Sequence, residues 1–170
     1  MTADSFTPNI HELLANNEQY VDGFGGADLA VAPSRQLAIV ACMDSRIDIL
    51  QVLGLGIGEA HIFQNAGGVI TDDAIRSLCL SQRLLGTREI VLVHHTDCGV
   101  QKVTDDSFKA DLLTDVGIKP EWAVEAFVDP HDDVRQSIKR LHATPFLPHK
   151  DHISGFVYDV TDGRLVSVQA

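Results

Sequence analysis

Leu37-Ala38-Ile39-Val40-Ala41, running directly into Cys42-Met43-Asp44-Ser45-Arg46, is the stretch on which the architecture turns. Consecutive apolar residues without alternation suit a strand buried on both faces, as in a parallel sheet. Glu89-Ile90-Val91-Leu92-Val93-His94 has the same character and runs into His95-Thr96-Asp97-Cys98-Gly99. Between them, Ala60-His61-Ile62-Phe63 is another strand candidate and leads into the sharp loop Asn65-Ala66-Gly67-Gly68. Thr71 can cap a helix whose first turn carries Asp72 and Asp73, where the helix dipole favours negative charge. Ile75, Leu78, Cys79 and Leu85 follow helical spacing, and Gly86 ends that helix. Strands alternating with helices predict an α/β fold: a mostly parallel central β-sheet flanked by helices. Such sheets place ligand sites at the carboxyl ends of their strands, where Cys42 and His95 both stand.

Outward from this centre, Asn9 to Gln19 reads as a helix broken by Gly23 to Gly26, and Asp48 to Leu53 as a short helix ended by Gly54. Asp105 to Asp115 reads as a polar, amphipathic helix. Pro120 to Phe127 and Asp132 to His142 read as two more, with Asp129-Pro130 as the turn between them. Phe156 to Val160, Asp162-Gly163 and Leu165 to Val168 form a strand, turn and strand, the signature of a C-terminal β-hairpin. The expected organisation is an N-terminal helical arm over residues 1–36 and one metal-binding α/β domain over residues 37–170.

A chain of 170 residues fits one core. Its net charge of −11 argues against nucleic acid and anionic membrane as partners. Met1-Thr2-Ala3-Asp4-Ser5-Phe6 has neither the basic nor the apolar region of a signal peptide, and no stretch reaches the ~20 apolar residues of a membrane span. Three cysteines, an odd count, suit metal or catalytic use better than a disulfide framework, which points to the cytoplasm.

Two thiolates and an imidazole on neighbouring strand ends can fill three of the four tetrahedral positions of a zinc ion, Zn2+. A lone cysteine is usually a small buried hydrophobe, and His-x-x-Cys alone is weak; the convergence of Cys42, His95 and Cys98 on strand ends is what gives them weight. The fourth position is open to water, as in a catalytic site, or closed by a carboxylate such as Asp44. Arg46 is placed to keep Asp44 ionised and aimed at the metal. His94 competes with His95, but adjacent strand residues face opposite ways, and the spacer to Cys98 favours His95. Cys79 reads as a core thiol. Gly54, Gly56 and Gly58 do not have nucleotide-loop spacing. His131, His142, His149 and His152 lack cysteine partners at metal spacing and read as surface residues.

Cys42-x-Asp44-x-Arg46, then Asn65-Ala66-Gly67, then His95-x-x-Cys98-Gly99, with Gly155-Phe156-Val157-Tyr158-Asp159-Val160 and Asp162-Gly163, resemble the β-class carbonic anhydrases, in particular compact actinobacterial-type members. The resemblance implies zinc on Cys42, His95 and Cys98, a gating dyad of Asp44 and Arg46, and a homodimer as minimal unit, with the pocket near the dimer interface and a homotetramer as a further form. It implies reversible hydration of carbon dioxide, a small gaseous substrate, to bicarbonate by zinc-bound hydroxide. Because two thiolates cancel the zinc charge, activity should favour mildly alkaline pH, with Asp44 ligating zinc in a closed state at lower pH. Hydrolysis of carbonyl sulfide or carbon disulfide would use the same chemistry, and a non-catalytic structural zinc or thiol-switch protein is the reading from another class. Many relatives carry Arg before Asn-Ala-Gly; Gln64 stands here, which bears on pocket or interface electrostatics rather than on zinc.

Overall fold

β1 (Leu37–Cys42) and β3 (Glu89–His95) lie side by side and parallel at the middle of a five-stranded sheet in a computed structural model that describes residues 7–169. The strand order is β2-β1-β3-β4-β5, with β2 (Ala60–Asn65), β4 (His152–Tyr158) and β5 (Leu165–Val168) completing it. β2 pairs with β1, and β4 with β3, in parallel; only β4 and β5 are antiparallel. The register aligns Ala41 with Val93 and Cys42 with Asn65, so the carboxyl ends of β1, β2 and β3 finish level.

The unbroken apolar runs follow from two cores, one on each side of the sheet. Ala38, Val40, Ile90 and Leu92 pack on one side with Ala74 and Leu78 of α3 (Asp72–Leu85) and Val134, Ile138 and Leu141 of α5 (Pro130–Ala143). Ile39, Ala41, Val91 and Val93 pack on the other with Ile47, Ile49, Val69 and Phe127. Each fully buried aliphatic side chain contributes about 1.5–3 kcal/mol, so neither face tolerates a polar residue without a partner.

Caps fix the helix ends. Thr71 Oγ1 accepts from Ala74 N–H at 3.2 Å, and Gly86 closes α3 in the left-handed conformation. The Asp129 carboxylate accepts from His131 and Asp132 N–H at the start of α5, with Pro130 in the first turn. Asp48 caps the short α2 (Ile49–Leu53). Gly155 is required where α5 crosses β4, because a Cβ there would collide with Val134.

Three sequence expectations need correction. Residues Pro120 to Phe127 are not helical. Asp105, at the start of α4 (Asp105–Val116), takes Val124 and Ala126 N–H on its two carboxylate oxygens, and Glu125 has φ of 58°, so these groups are satisfied without a helix. The Asp129-Pro130 pair opens α5 rather than separating two helices. β4 starts at His152 and ends at Tyr158, because its partner β3 begins at Glu89 and ends at His95. Past that point Val160 N–H turns to Thr96 Oγ1, and Asp159 closes the turn to β5.

α1 (Ile10–Val21) is helical as expected, but none of its residues is buried, and Ile10, Leu13, Leu14 and Val21 are all more than half exposed. α4 likewise buries nothing. Among the described residues no helix is long and apolar enough to cross a membrane. The reading of Met1 to Phe6 lies outside the described residues.

Candidate metal centre

Cys42, the last residue of β1, and His95, the last of β3, meet Cys98 across the gap between the strand ends, with one ligand atom from each within 4.8 Å of the others and all three side chains buried. Cys42 Sγ lies 3.9 Å from Cys98 Sγ and 3.2 Å from His95 Nε2. A tetrahedral zinc with ordinary bond lengths needs ~3.8 Å between sulfurs and ~3.6 Å between sulfur and nitrogen. The two distances from Cys42 match these spacings to within a few tenths of an ångström, and the third pair, His95 and Cys98, lies within 4.8 Å.

Adjacent histidines have opposite fates, as the strand pleat requires. His95 continues the Val91 and Val93 side and enters the cluster. Its Nδ1 donates to the Thr96 carbonyl at 2.8 Å, leaving the Nε2 lone pair toward the thiols. His94 points to the opposite side, where Nε2 meets Asp133 Oδ2 of α5 at 2.7 Å and the ring tilts against Phe127. It is fully buried and takes no part in the cluster.

The cluster favours a thiolate at Cys42 and a thiol at Cys98. The Cys98 thiol hydrogen-bonds to Cys42 and, although burial opposes it, holds Cys42 down to about 4, helped by His95 and by Asp44 and Gly67 N–H. The same contact, with burial, pushes Cys98 far up. Burial pulls His95 down, but Cys42 outweighs it and leaves the imidazole above its ordinary value. Gly68 makes this packing possible: its φ is +72°, and a Cβ would sit 2.8 Å from Cys42 N and 3.0 Å from Val93 O.

Asp44 stands beside the cluster, its Oδ2 3.7 Å from His95 Nε2. Arg46 grips it from both sides: Nε donates to Oδ1 at 2.9 Å, Nη2 to Oδ2 at 2.8 Å, and Arg46 N–H adds a third bond to Oδ1 at 2.9 Å. These bonds hold the carboxyl well below the usual carboxylate range. Gln64 donates to the Cys42 carbonyl at 3.1 Å, bracing the strand end. An apolar cavity of about 560 Å³ is lined by Phe63, Val69, Val100, Phe108 and Trp122 among others; its lining includes Asn65 and Gly99, which neighbour the cluster, but none of the cluster's residues.

The structure brings Cys42, His95 and Cys98 together, sets Asp44 beside them rather than among them, and leaves apart the residues set aside. Cys79 is half-buried on α3, its Sγ 3.7 Å from the Phe146 carbonyl, remote from the cluster's residues. His142 and His152 are exposed, and His131 and His149 partly so. Two contributors went unassigned. Gln101 Oε1 accepts from Cys98 N–H at 2.9 Å while its Nε2 donates to the Val128 carbonyl at 2.7 Å, pinning the ligand turn to the segment that precedes α5. Asp97, inside the His95 to Cys98 spacer, pairs with Arg46. Nothing in spacing or hydrophobicity marks Gln101, whereas an Asp in a tight ligand turn is a recognisable left-handed position.

A family model described as carbonic anhydrase matches residues 37–122. Beta-carbonic anhydrase 1 of Mycobacterium tuberculosis is 52% identical over 157 residues, covering 92% of this chain and 96% of its own. A carbon disulfide hydrolase of Acidianus sp. is 34% identical over 157 residues, covering 78% of this chain and 76% of its own. The crystal structure of a carbonic anhydrase from Streptococcus mutans superposes with a TM-score of 0.90 at 42% identity, covering 96% of this chain and 99% of that one.

Proposed function

Since the chain belongs to the β-carbonic anhydrase family, we propose that it catalyses the reversible hydration of carbon dioxide to bicarbonate at the Cys42, His95 and Cys98 cluster. The observation that carries this is the convergence of two thiols and an imidazole nitrogen at zinc spacing beside an ionised carboxylate. Zinc held there would supply a Lewis-acid centre that makes water nucleophilic near neutral pH.

The chain's own residues do the rest. Cys42 and Cys98 bring two negative charges, and His95 offers Nε2 because Thr96 holds the proton on Nδ1. Asp44, kept ionised by Arg46, accepts a hydrogen bond at Oδ2 from a water beside the cluster and so orients it for attack. The apolar side chains of Val69, Val100, Phe108 and Trp122, in the cavity that reaches Gly99 beside Cys98, suit an uncharged gas better than bicarbonate. Rotation of Asp44 away from Arg46 onto the metal would close the site. The bidentate pair with Arg46 opposes this rotation.

Hydrolysis of carbon disulfide or carbonyl sulfide is a second reading, favoured by the likeness to a carbon disulfide hydrolase. Its lower identity beside the 52% match ranks it second. Stopped-flow turnover of the three gases by the zinc-loaded protein tests the order. Carbon dioxide hydration is expected to exceed the others by at least about tenfold in kcat/KM; carbon disulfide in first place would reverse the assignment.

Residues 1–36 as an arm and a homodimer as the working unit are parts of the same proposal, as is a cytoplasmic location. The bare apolar side of α1 supports the first two. Three free cysteines suit a reducing compartment.

A further inference from the structure

Arg46 has a second partner besides Asp44. Its Nη1 donates to Asp97 Oδ2 and its Nη2 to the Asp97 carbonyl oxygen, both at 3.0 Å. Asp97 lies in the two-residue spacer between His95 and Cys98 and has φ of 53°. Residues other than glycine are disfavoured there, and Asp is among the few that adopt the conformation routinely. Here both its carbonyl and its carboxylate reach one guanidinium. Lys102 Nζ stands 3.4 Å from the remaining oxygen, Asp97 Oδ1. The charges therefore alternate along one line, from Lys102 through Asp97 and Arg46 to Asp44, which ends 3.7 Å from His95.

We propose that Asp97 is a positioning residue: gripping Arg46 from the metal-ligand turn, it fixes the guanidinium where Asp44 is held beside the ligands rather than swung among them. This rests on the dyad reading above. Arg46 is a long, 44% exposed side chain, and with Asp44 as its only partner it would follow the carboxylate wherever that moved. Anchored also to the turn that carries Cys98, it stays put, and any rotation of Asp44 must break the bidentate pair. Exposed ion pairs usually contribute little, but bidentate geometry within a charge network is the exception.

Asp97→Asn keeps the side-chain size, the left-handed tolerance and the carbonyl contact while removing the charge. Asp97→Gly relieves the backbone and removes the side chain. The anchor predicts that both fold with unchanged secondary structure, that both lose about 5- to 20-fold in kcat with KM within twofold of the parent, and that crystal structures of both show Asp44 partly rotated off Arg46. Lys102→Gln, which leaves the grip intact, should lose less than threefold. A purely conformational role for Asp97 would be satisfied by glycine, so full kcat and an unmoved Asp44 in Asp97→Gly would overturn the anchor. Arg46→Ala separates the two layers. If it loses activity while both Asp97 variants keep theirs, the anchor alone fails. If Arg46→Ala is itself fully active, the dyad reading falls and the anchor with it.

Discussion

The strand-end cluster and the N-terminal helix differ in how far this one chain satisfies them. At the cluster, the polar groups pair within the chain: His95 with Thr96, Cys98 N–H with Gln101, Asp44 with Arg46, Arg46 with Asp97. Cys42 and His95 end β1 and β3, the most buried strands, and Cys98 follows in the turn after β3, so the frame that spaces them is rigid. α1 presents Ile10, Leu13, Leu14 and Val21 to solvent and buries none of them. An isolated helix of 12 residues is marginal in water, so its apolar stripe asks for a partner surface that the described residues of the same chain do not provide. The cluster's geometry is a property of the single chain, whereas the apolar stripe of α1 stays bare within the described residues.

Removing a ligand strikes the self-contained region hardest. His95→Ala or Cys98→Ser should abolish stoichiometric zinc and lower hydration at least about 10³-fold, read by metal analysis and stopped flow. Near-normal zinc in either variant would show that the cluster does not act as a unit. Asp44→Asn should keep zinc, since the carboxylate is not one of the three ligands, yet lose about 10²-fold in kcat. Loss of zinc together with activity would instead make Asp44 a structural ligand.

Gly68→Ala tests the frame rather than the chemistry. Positive φ and backbone contacts at 2.8–3.0 Å predict destabilisation of about 2–4 kcal/mol, measured by denaturant unfolding, with zinc binding weakened in parallel. A change under about 0.5 kcal/mol would mean that the loop yields without disturbing Cys42.

The pH dependence of metal uptake follows from the shifted ligands. Binding needs both thiolates and a neutral imidazole, whereas Cys98 and His95 hold their protons to higher pH than usual. Protons therefore compete with zinc increasingly as pH falls, and apparent affinity should drop about 10- to 100-fold per unit between pH 7 and 5 in a competition titration. A flat profile would contradict the ligand set. The smallest effect on the site is expected from deleting residues 1–21. The truncated chain should still bind one zinc, with affinity within about threefold of the parent, while light scattering shows dimer giving way to monomer. Retained dimers would move the interface elsewhere, and lost zinc binding would erase the distinction between the two regions.

How much of this was legible in the sequence depended on where each signal was local. β1 and β3 announced themselves because both faces are buried, and α3 because Thr71 and Gly86 mark its ends. The ligands were legible because each follows such a strand within three residues. The non-helical segment from Pro120 to Phe127 was not, because its conformation depends on a carboxylate nineteen positions earlier in sequence, Asp105 bonding Val124. The start of β4 at His152 was missed for a similar reason: His152-Ile153-Ser154-Gly155 is polar and glycine-bearing, and it is a strand because Glu89 to Leu92 pairs with it. Gly155 is the place where α5 packs closely on β4. The grip of Asp97 on Arg46 joins residues 51 positions apart, and no local pattern encodes it.

Zinc K-edge absorption on the purified protein addresses the central claim most directly. One zinc per chain is expected, with two sulfurs at ~2.3 Å and at least one imidazole nitrogen at ~2.0 Å. Substoichiometric zinc, or a shell of nitrogen and oxygen without sulfur, would contradict the assignment of Cys42, His95 and Cys98 as the centre of this protein's chemistry.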